Sequence, residues 1–130
     1  MNEIIERELQ VIFANADVED TIAAFERLRA ATKEEDIPRL VEALKSNKSD
    51  FWTRELLAQP ICEIGGPEYL RPLLDVLAKG DAEGHDNDGF AHFLMEMAGT
   101  HPAEVRQRLE QLMLEDKYRK DAEWLLEFCK

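Results

Sequence analysis

The sequence predicts an all-α protein built from helices that stack in antiparallel pairs. Apolar residues recur every three to four positions almost from end to end, which is typical of amphipathic helices, and strand-like alternation is hard to find. The similar segments LVEAL, LLDVL and LEQLM begin at Leu40, Leu73 and Leu109, at separations of 33 and 36 residues. That period is the length of a helical hairpin. The pattern therefore predicts about eight helices in four hairpins, within one domain of residues 1–130.

The first half of the chain contains four predicted helices. The first two, over about residues 2–15 and 18–31, would form an N-terminal cap of residues 1–33, and Asp17 lies where an acidic N-cap is favoured. The third is expected to begin after the capping candidate Asp36, with Pro38 in its first turn, and to stop within residues 46–49. The fourth is predicted over residues 50–64. It would end at Gly65, because glycine adopts a left-handed C-cap at little cost.

Gly66 and Pro67 open the second half of the chain at the start of the fifth helix. The last four helices are predicted over residues 66–79, 87–98, 102–114 and 117–129. The three hairpin repeats then cover residues 36–65, 67–99 and 102–130. Pro60 and Pro72 fall inside the fourth and fifth helices, where each removes a backbone hydrogen bond. Both helices are therefore expected to kink.

The corner between two hairpins carries a family resemblance. The stretch EIGGPEYLRPLL at residues 63–74 places a helix end, a Gly-Gly-Pro turn and a leucine-rich helix start in succession, and MAGTHP at residues 97–102 repeats the Gly and Pro. Together with the flanking residues of 37–114, it resembles the HEAT-like (armadillo-type) helical repeat family, which includes phycobilin-lyase-type repeats. The resemblance implies a right-handed α-α superhelix. The acidic linker near residues 78–90 is longer than the family's ordinary turn.

Charge indicates the class of partner. There are 16 Lys and Arg against 28 Asp and Glu, a net charge of −12 that is spread evenly along the chain. Such a field repels nucleic acid and anionic lipid and attracts a basic protein. No apolar run approaches the roughly 18 residues that span a bilayer, and the acidic start lacks a signal-peptide pattern. A cytoplasmic protein is therefore predicted, and its charged termini, suited to solvated caps, favour a monomer.

The only cluster of His and carboxylate residues lies around the start of the sixth helix. Asp88, His92 and Glu96 recur every four residues and so share one face, and His85 and Asp86 precede them. Imidazole with carboxylates suits a divalent ion. However, the sequence has no HExxH motif, and a calcium loop fails because Asp86 stands where glycine is required. A polar binding face is favoured, and no metal or other cofactor is predicted.

Nucleophilic catalysis has one candidate pair, Cys62 with His92. A shift of 34 residues places Arg54, Ala58 and Cys62 over Asp88, His92 and Glu96, so helices four and six could bring the pair together. Nothing in the sequence orients the imidazole or supplies an oxyanion hole. The chain is therefore predicted not to be an enzyme, and its two cysteines, which form no CxxC pair, are expected to be reduced and structural.

Aromatic residues on the second helix of each hairpin could line a binding face. Phe51 and Trp124 are expected to pack between repeats, whereas Trp52 fits packing and partner binding equally well. The predicted function is a non-catalytic module that binds a basic protein on an acidic concave face, with a stoichiometric inhibitor or immunity protein of a toxin as the favoured role. An adaptor, an assembly chaperone and a lyase-type HEAT-like enzyme subunit remain alternatives. The predicted partner-binding residues are Trp52, Arg54, Asp81, Glu83, Asp86, Asp88, His92 and Glu96.

Overall fold

The computed structural model describes residues 2–46 and 48–130, which form an all-helical structure without strands. Met1 and Asn47, the latter within the predicted break after the third helix, lie outside the described residues. The α-helices are α1 (Glu3–Ala14), α2 (Val18–Ala31), α3 (Ile37–Lys45), α4 (Phe51–Pro60), α5 (Leu70–Ala82), α6 (Asp88–Thr100), α7 (Pro102–Leu112) and α8 (Asp116–Leu126). Within the described part of the chain, no helix is long and apolar enough to cross a bilayer.

Acidic side chains begin two of these helices. The Asp17 carboxylate accepts the Asp20 N–H at 3.1 Å at the start of α2, as the sequence predicts. At the start of α4, the Asp50 carboxylate accepts the Thr53 N–H at 2.7 Å. Each carboxylate satisfies a backbone donor that has no partner inside the helix and interacts favourably with the helix dipole.

Asp36 acts differently from its predicted role as the cap of α3. Its carboxylate makes no capping bond to α3. It accepts the Lys33 N–H at 2.9 Å and the Asn2 side-chain amide at 3.1 Å. Asp36 therefore closes the 3₁₀ turn Glu34–Asp36 and ties it to the start of α1.

The fourth and fifth predicted helices are joined without a break. A π-helical turn, Ile61–Gly65, follows α4, and a 3₁₀ turn, Gly66–Tyr69, leads into α5. The described residues therefore form seven uninterrupted helical stretches, and eight separate helices are not confirmed. Pro60 ends α4 at the point where the π turn begins. Pro72 instead lies in the first turn of α5, where its missing N–H needs no partner.

The two glycines of this corner exchange their predicted roles. Gly65 was expected to adopt the left-handed conformation, but it is right-handed, with φ −76°, and it is Gly66 that has φ 75°. The π turn continues the helix to Gly65, so the reversal falls one residue later. A Cβ atom on Gly65 would lie 2.8 Å from side-chain atoms of Ile37 and Tyr69, so glycine is required there for close packing.

The helices pack in pairs and in two rows. α1 packs on α2, α3 on α4, and α7 on α8. In addition, α5 lies between α3 and α7, while α6 lies between α4 and α8. The two helices of the second predicted hairpin, α5 and α6, are not among the helix pairs in closest contact.

The leucines that mark the sequence repeat occupy the core. Leu40, Leu73 and Leu109 are each 0% exposed, on α3, α5 and α7 respectively. Each belongs to the single cluster of buried apolar residues that runs through the described chain. The leucines at the 33- and 36-residue spacings are therefore interior residues of three helices, of which α5 contacts both α3 and α7.

Candidate functional site

An acidic linker between α5 and α6 presents four predicted binding residues to solvent. Asp81, Glu83, Asp86 and Asp88 are all exposed. Asn87 fixes the linker, because its side-chain amide donates to the Leu77 carbonyl at 3.2 Å and to the Asp81 carboxylate at 2.5 Å. The Asp86 carboxylate accepts the Asp88 N–H at 2.9 Å. The linker is therefore an ordered structure that holds its carboxylates in place.

Two further carboxylates, which the sequence did not single out, lie close to this linker. Burial raises the pKa of Glu55 on α4, and the charge of Asp86 raises it further. Burial likewise raises the pKa of Asp121 on α8, with the charge of Asp81 adding to the shift. The Glu55 carboxylate lies so close to the Gly89 backbone that a Cβ there would be 1.8 Å from Oε1. We call Glu55, Asp81, Glu83, Asp86, Asp88 and Asp121 the acidic surface.

Internal cations neutralise little of the acidic surface. Among the described residues, no lysine or arginine forms an ion pair with Asp81, Asp86 or Asp88. Some carboxylates elsewhere are paired, as in the contact of Glu115 with Arg71 at 2.7 Å. The negative charge of the acidic surface is therefore available to a partner.

Arg54 is the exception among the predicted binding residues, because it is only 6% exposed. Its Nη2 atom contacts a Glu83 carboxylate oxygen at 2.9 Å, and this hydrogen bond lowers the pKa of Glu83. Its Nε and Nη1 atoms are buried and have no hydrogen-bond partner among the described residues. Arg54 therefore anchors Glu83 from inside the protein and offers little surface to a partner.

The aromatic residues of α4 and α8 differ in how far they are buried. Phe51 stacks on His85 with ring centroids 4.4 Å apart, which attaches the acidic linker to the start of α4. Tyr118 is buried and donates its hydroxyl to Asp75 at 2.8 Å. Trp124 packs against the core, as predicted. Trp52 is partly exposed and lies outside the apolar cluster of the described residues, so a partner can reach part of its ring.

His92 and Glu96 form an exposed pair on α6, with Nε2 and Oε1 3.0 Å apart. Both side chains are 60% exposed. Among residues 2–46 and 48–130, no three His, Cys, Asp or Glu side chains are arranged to hold a metal ion. The i, i+4 spacing thus brings the two side chains together on a solvated helix face.

The predicted equivalence of α4 with α6 at a shift of 34 residues is wrong. Arg54, Ala58 and Cys62 are buried, whereas Asp88, His92 and Glu96 are exposed. The first three therefore face the core while the last three face solvent. A fixed shift in sequence therefore does not relate the faces of the two helices.

Cys62 has the properties of a core thiol. It is buried beside Ile61, and burial raises its pKa to about 12, with Glu63 and Glu96 adding to the shift. The nucleophilic thiolate is therefore almost absent near neutral pH. Cys129 is also buried, and burial raises its pKa too.

We expect both thiols of the folded protein to resist alkylation. At neutral pH, iodoacetamide should label each at least about 100-fold more slowly than in the urea-unfolded chain, because burial and protonation both suppress attack. Peptide mass spectrometry of timed samples measures the two sites separately. Rapid labelling of Cys62 in the native state would contradict its assignment as a core residue.

Comparisons with protein-family models, curated proteins and solved structures found no match to this chain. The strongest functional feature is therefore the geometry itself. Carboxylates on α4, α5, α6, α8 and the linker after α5 come together, with Trp52 partly exposed on α4.

Proposed function

We propose that this chain is a non-catalytic protein-binding module that receives a basic protein on its acidic surface. The observation that supports this function is the convergence of carboxylates from α4, α5, α6 and α8, together with the absence of ion pairs at three of them in the described residues. Within the acidic surface, Arg54 compensates the charge of Glu83, and no lysine or arginine of the described residues forms an ion pair with Asp81, Asp86 or Asp88. A cationic partner would compensate these charges on binding.

The electrostatic field acts at two ranges. Over long distances, the net charge of −12 steers a basic protein towards the chain and raises its association rate. At contact, the acidic surface is electrostatically complementary to a basic protein. Salt screens the attraction between charges that are more than about 8 Å apart at physiological ionic strength. Burial is the main cause of the raised pKa values of Glu55 and Asp121, and the nearby charges of Asp86 and Asp81 add to it, because a nearby anion disfavours a second negative charge.

We propose that the architecture is a right-handed superhelix of HEAT-like repeats. The two rows of helices, α3–α5–α7 and α4–α6–α8, support this arrangement, because each repeat of a solenoid contacts mainly its neighbours. The second row would line the concave face, where Trp52, His92 and Glu96 lie. A rigid face of this kind reduces the entropy that is lost on docking.

Within this class we favour a stoichiometric inhibitor or immunity protein, acting as a cytoplasmic monomer on a cationic toxin. A small acidic chain that offers an ordered surface fits neutralisation by occlusion. An adaptor or assembly chaperone would use the same surface and would differ in its partner. A lyase-type enzyme receives less support, since Cys62 is buried and protonated.

Reversing two charges of the acidic surface tests the proposal. Asp86→Lys with Asp88→Lys should slow association with the partner by about tenfold or more and flatten its dependence on salt, because steering acts mainly on the association rate. The matched control is Glu26→Lys with Glu110→Lys, which makes the same charge change at exposed residues of α2 and α7. Proteins retained by the immobilised wild type from a cell extract supply the partner, whose association rate is then measured with each variant.

The supporting result is a basic protein that the wild type and the control capture, and that the acidic-surface variant loses. Circular dichroism of all three should agree, because the changed side chains are exposed. A partner with an acidic surface, or equal association rates for the two charge-reversed variants, would refute binding through the acidic surface.

A further inference from the structure

A small pocket lies between the π turn after α4 and the C-terminal half of α6. Its cavity of about 170 Å³ is open to solvent and has an apolar part formed by Phe93 and Met97. Glu63 and Glu96 line it as well, and Cys62 forms part of its floor. The volume suits one long side chain and is below the roughly 300–1,000 Å³ typical of small-molecule sites.

Two carboxylates line the pocket. The charges of Glu63 and Glu96 both act on the Cys62 thiol, after burial, to raise its pKa, so both carboxylates lie near the floor. Among the described residues, Glu96 pairs only with His92, and no lysine or arginine neutralises it. Glu63 already accepts one arginine, because Arg29 Nη2 lies 2.9 and 2.7 Å from its two oxygens.

We propose that this pocket binds an arginine side chain of the protein partner. The inference rests on the proposed function and names one recognition element within it. The guanidinium would donate hydrogen bonds to Glu96 and to the free lone pairs of Glu63, while its alkyl stem would contact Met97. Charge complementarity identifies the occupant: carboxylates near the floor and an apolar wall match a side chain with a cationic end and an apolar stem.

Arginine fits these walls better than lysine does. Its planar guanidinium stacks on aromatic faces and is more weakly hydrated than an ammonium group, and Phe93 supplies an aromatic wall. Its several N–H donors can also reach carboxylates on two elements at once. Glu63 lies on the π turn and Glu96 on α6, so the two acceptors come from different segments.

The pocket extends the acidic surface along α6. Asp88 begins this helix and Glu96 lies eight positions later, which corresponds to about 12 Å of helix axis. His92 lies between them on the same exposed face. A basic partner segment that lies along α6 could therefore contact the acidic surface with one cation and insert an arginine into the pocket with another.

NMR titration of the intact chain with N-acetyl-arginine amide tests the pocket. We expect saturable shifts at Phe93, Met97 and Thr100 with a dissociation constant in the millimolar range, as suits one side chain. N-acetyl-citrulline amide, which has nearly the same shape without the charge, should give no saturable shift there. Glu96→Gln should weaken binding by about tenfold, because it removes a charge-assisted hydrogen bond from an exposed residue whose loss leaves folding intact.

Two controls separate this inference from the proposed function. Glu110→Gln, on the exposed side of α7, should leave arginine binding unchanged. The Asp86→Lys, Asp88→Lys protein should still bind the arginine probe at the pocket even where it loses the partner. Equal binding of arginine and citrulline probes, shifts confined to the acidic surface, or no saturation well above millimolar concentration would each overturn the arginine pocket while leaving the proposed function to its own test.

Discussion

Replacing Leu73 with alanine is expected to lower the free energy of unfolding by about 2–5 kcal/mol. Leu73 is 0% exposed and lies on α5, which contacts both α3 and α7. The substitution removes three carbon atoms from the centre of the row and leaves a cavity that the neighbouring helices cannot fill without moving. Urea unfolding followed by far-UV circular dichroism measures the loss, provided that the slope of the transition is unchanged.

The matched control is Leu114→Ala, between α7 and α8. Leu114 is 83% exposed, so the same change in side chain should alter stability by less than about 0.5 kcal/mol. Leu40→Ala and Leu109→Ala should resemble Leu73→Ala, because all three leucines are equally buried. A loss at Leu73 no larger than that at Leu114 would show that the leucine repeat does not mark the interior of the fold.

The sequence was most informative where a helix has an apolar face and a polar start. The leucine spacing identified one row of buried residues because the residues that a helix buries recur with the period of the helix. Asp17 and Pro38 marked helix starts because the first N–H groups of a helix lack internal acceptors. These are local effects, so a single sequence carries them.

The corner at residues 61–69 could not be predicted in detail. Which glycine takes a positive φ depends on how far the helix continues, and here the π turn shifts the reversal from Gly65 to Gly66. The close packing of Ile37 and Tyr69 against Gly65 is a tertiary effect, since Ile37 is distant in sequence. Nothing in the stretch ICEIGGPEY distinguishes the two glycines.

Some residues of the candidate site could likewise be predicted from the sequence, and others could not. The acidic linker was evident because its carboxylates are adjacent in sequence, and the structure places all of them in solvent. Glu55 and Asp121 were missed because only the positions of α4 and α8 in the fold bring them near the acidic linker. Arg54 was selected as a surface residue, yet the rotation of α4 turns it inward against Glu83. Helix rotation depends on the neighbours of a helix, which the sequence alone did not define.

Gly66→Ala is expected to destabilise the protein by about 1–3 kcal/mol, through the backbone alone. Gly66 has φ 75° and ψ −160°, a conformation that essentially only glycine adopts. A Cβ atom at this position would meet no other atom within 4 Å. The new Cβ would therefore clash with none of the described residues. The loss of unfolding free energy then measures the backbone strain at the chain reversal between the π turn and α5. Chemical denaturation of the wild type and the variant gives the difference.

The same substitution at Gly99 is the control, and its expected effect on stability has the opposite sign. Gly99 lies within α6, and a Cβ there would also meet nothing within 4 Å. Gly99→Ala should stabilise the protein by about 0.5–1 kcal/mol, because alanine has less conformational freedom to lose in a helix. If both variants shifted stability in the same direction, Gly66 would not hold the reversed conformation in solution. Opposite shifts of these sizes would place the chain reversal at Gly66, from which α5 begins its course between α3 and α7.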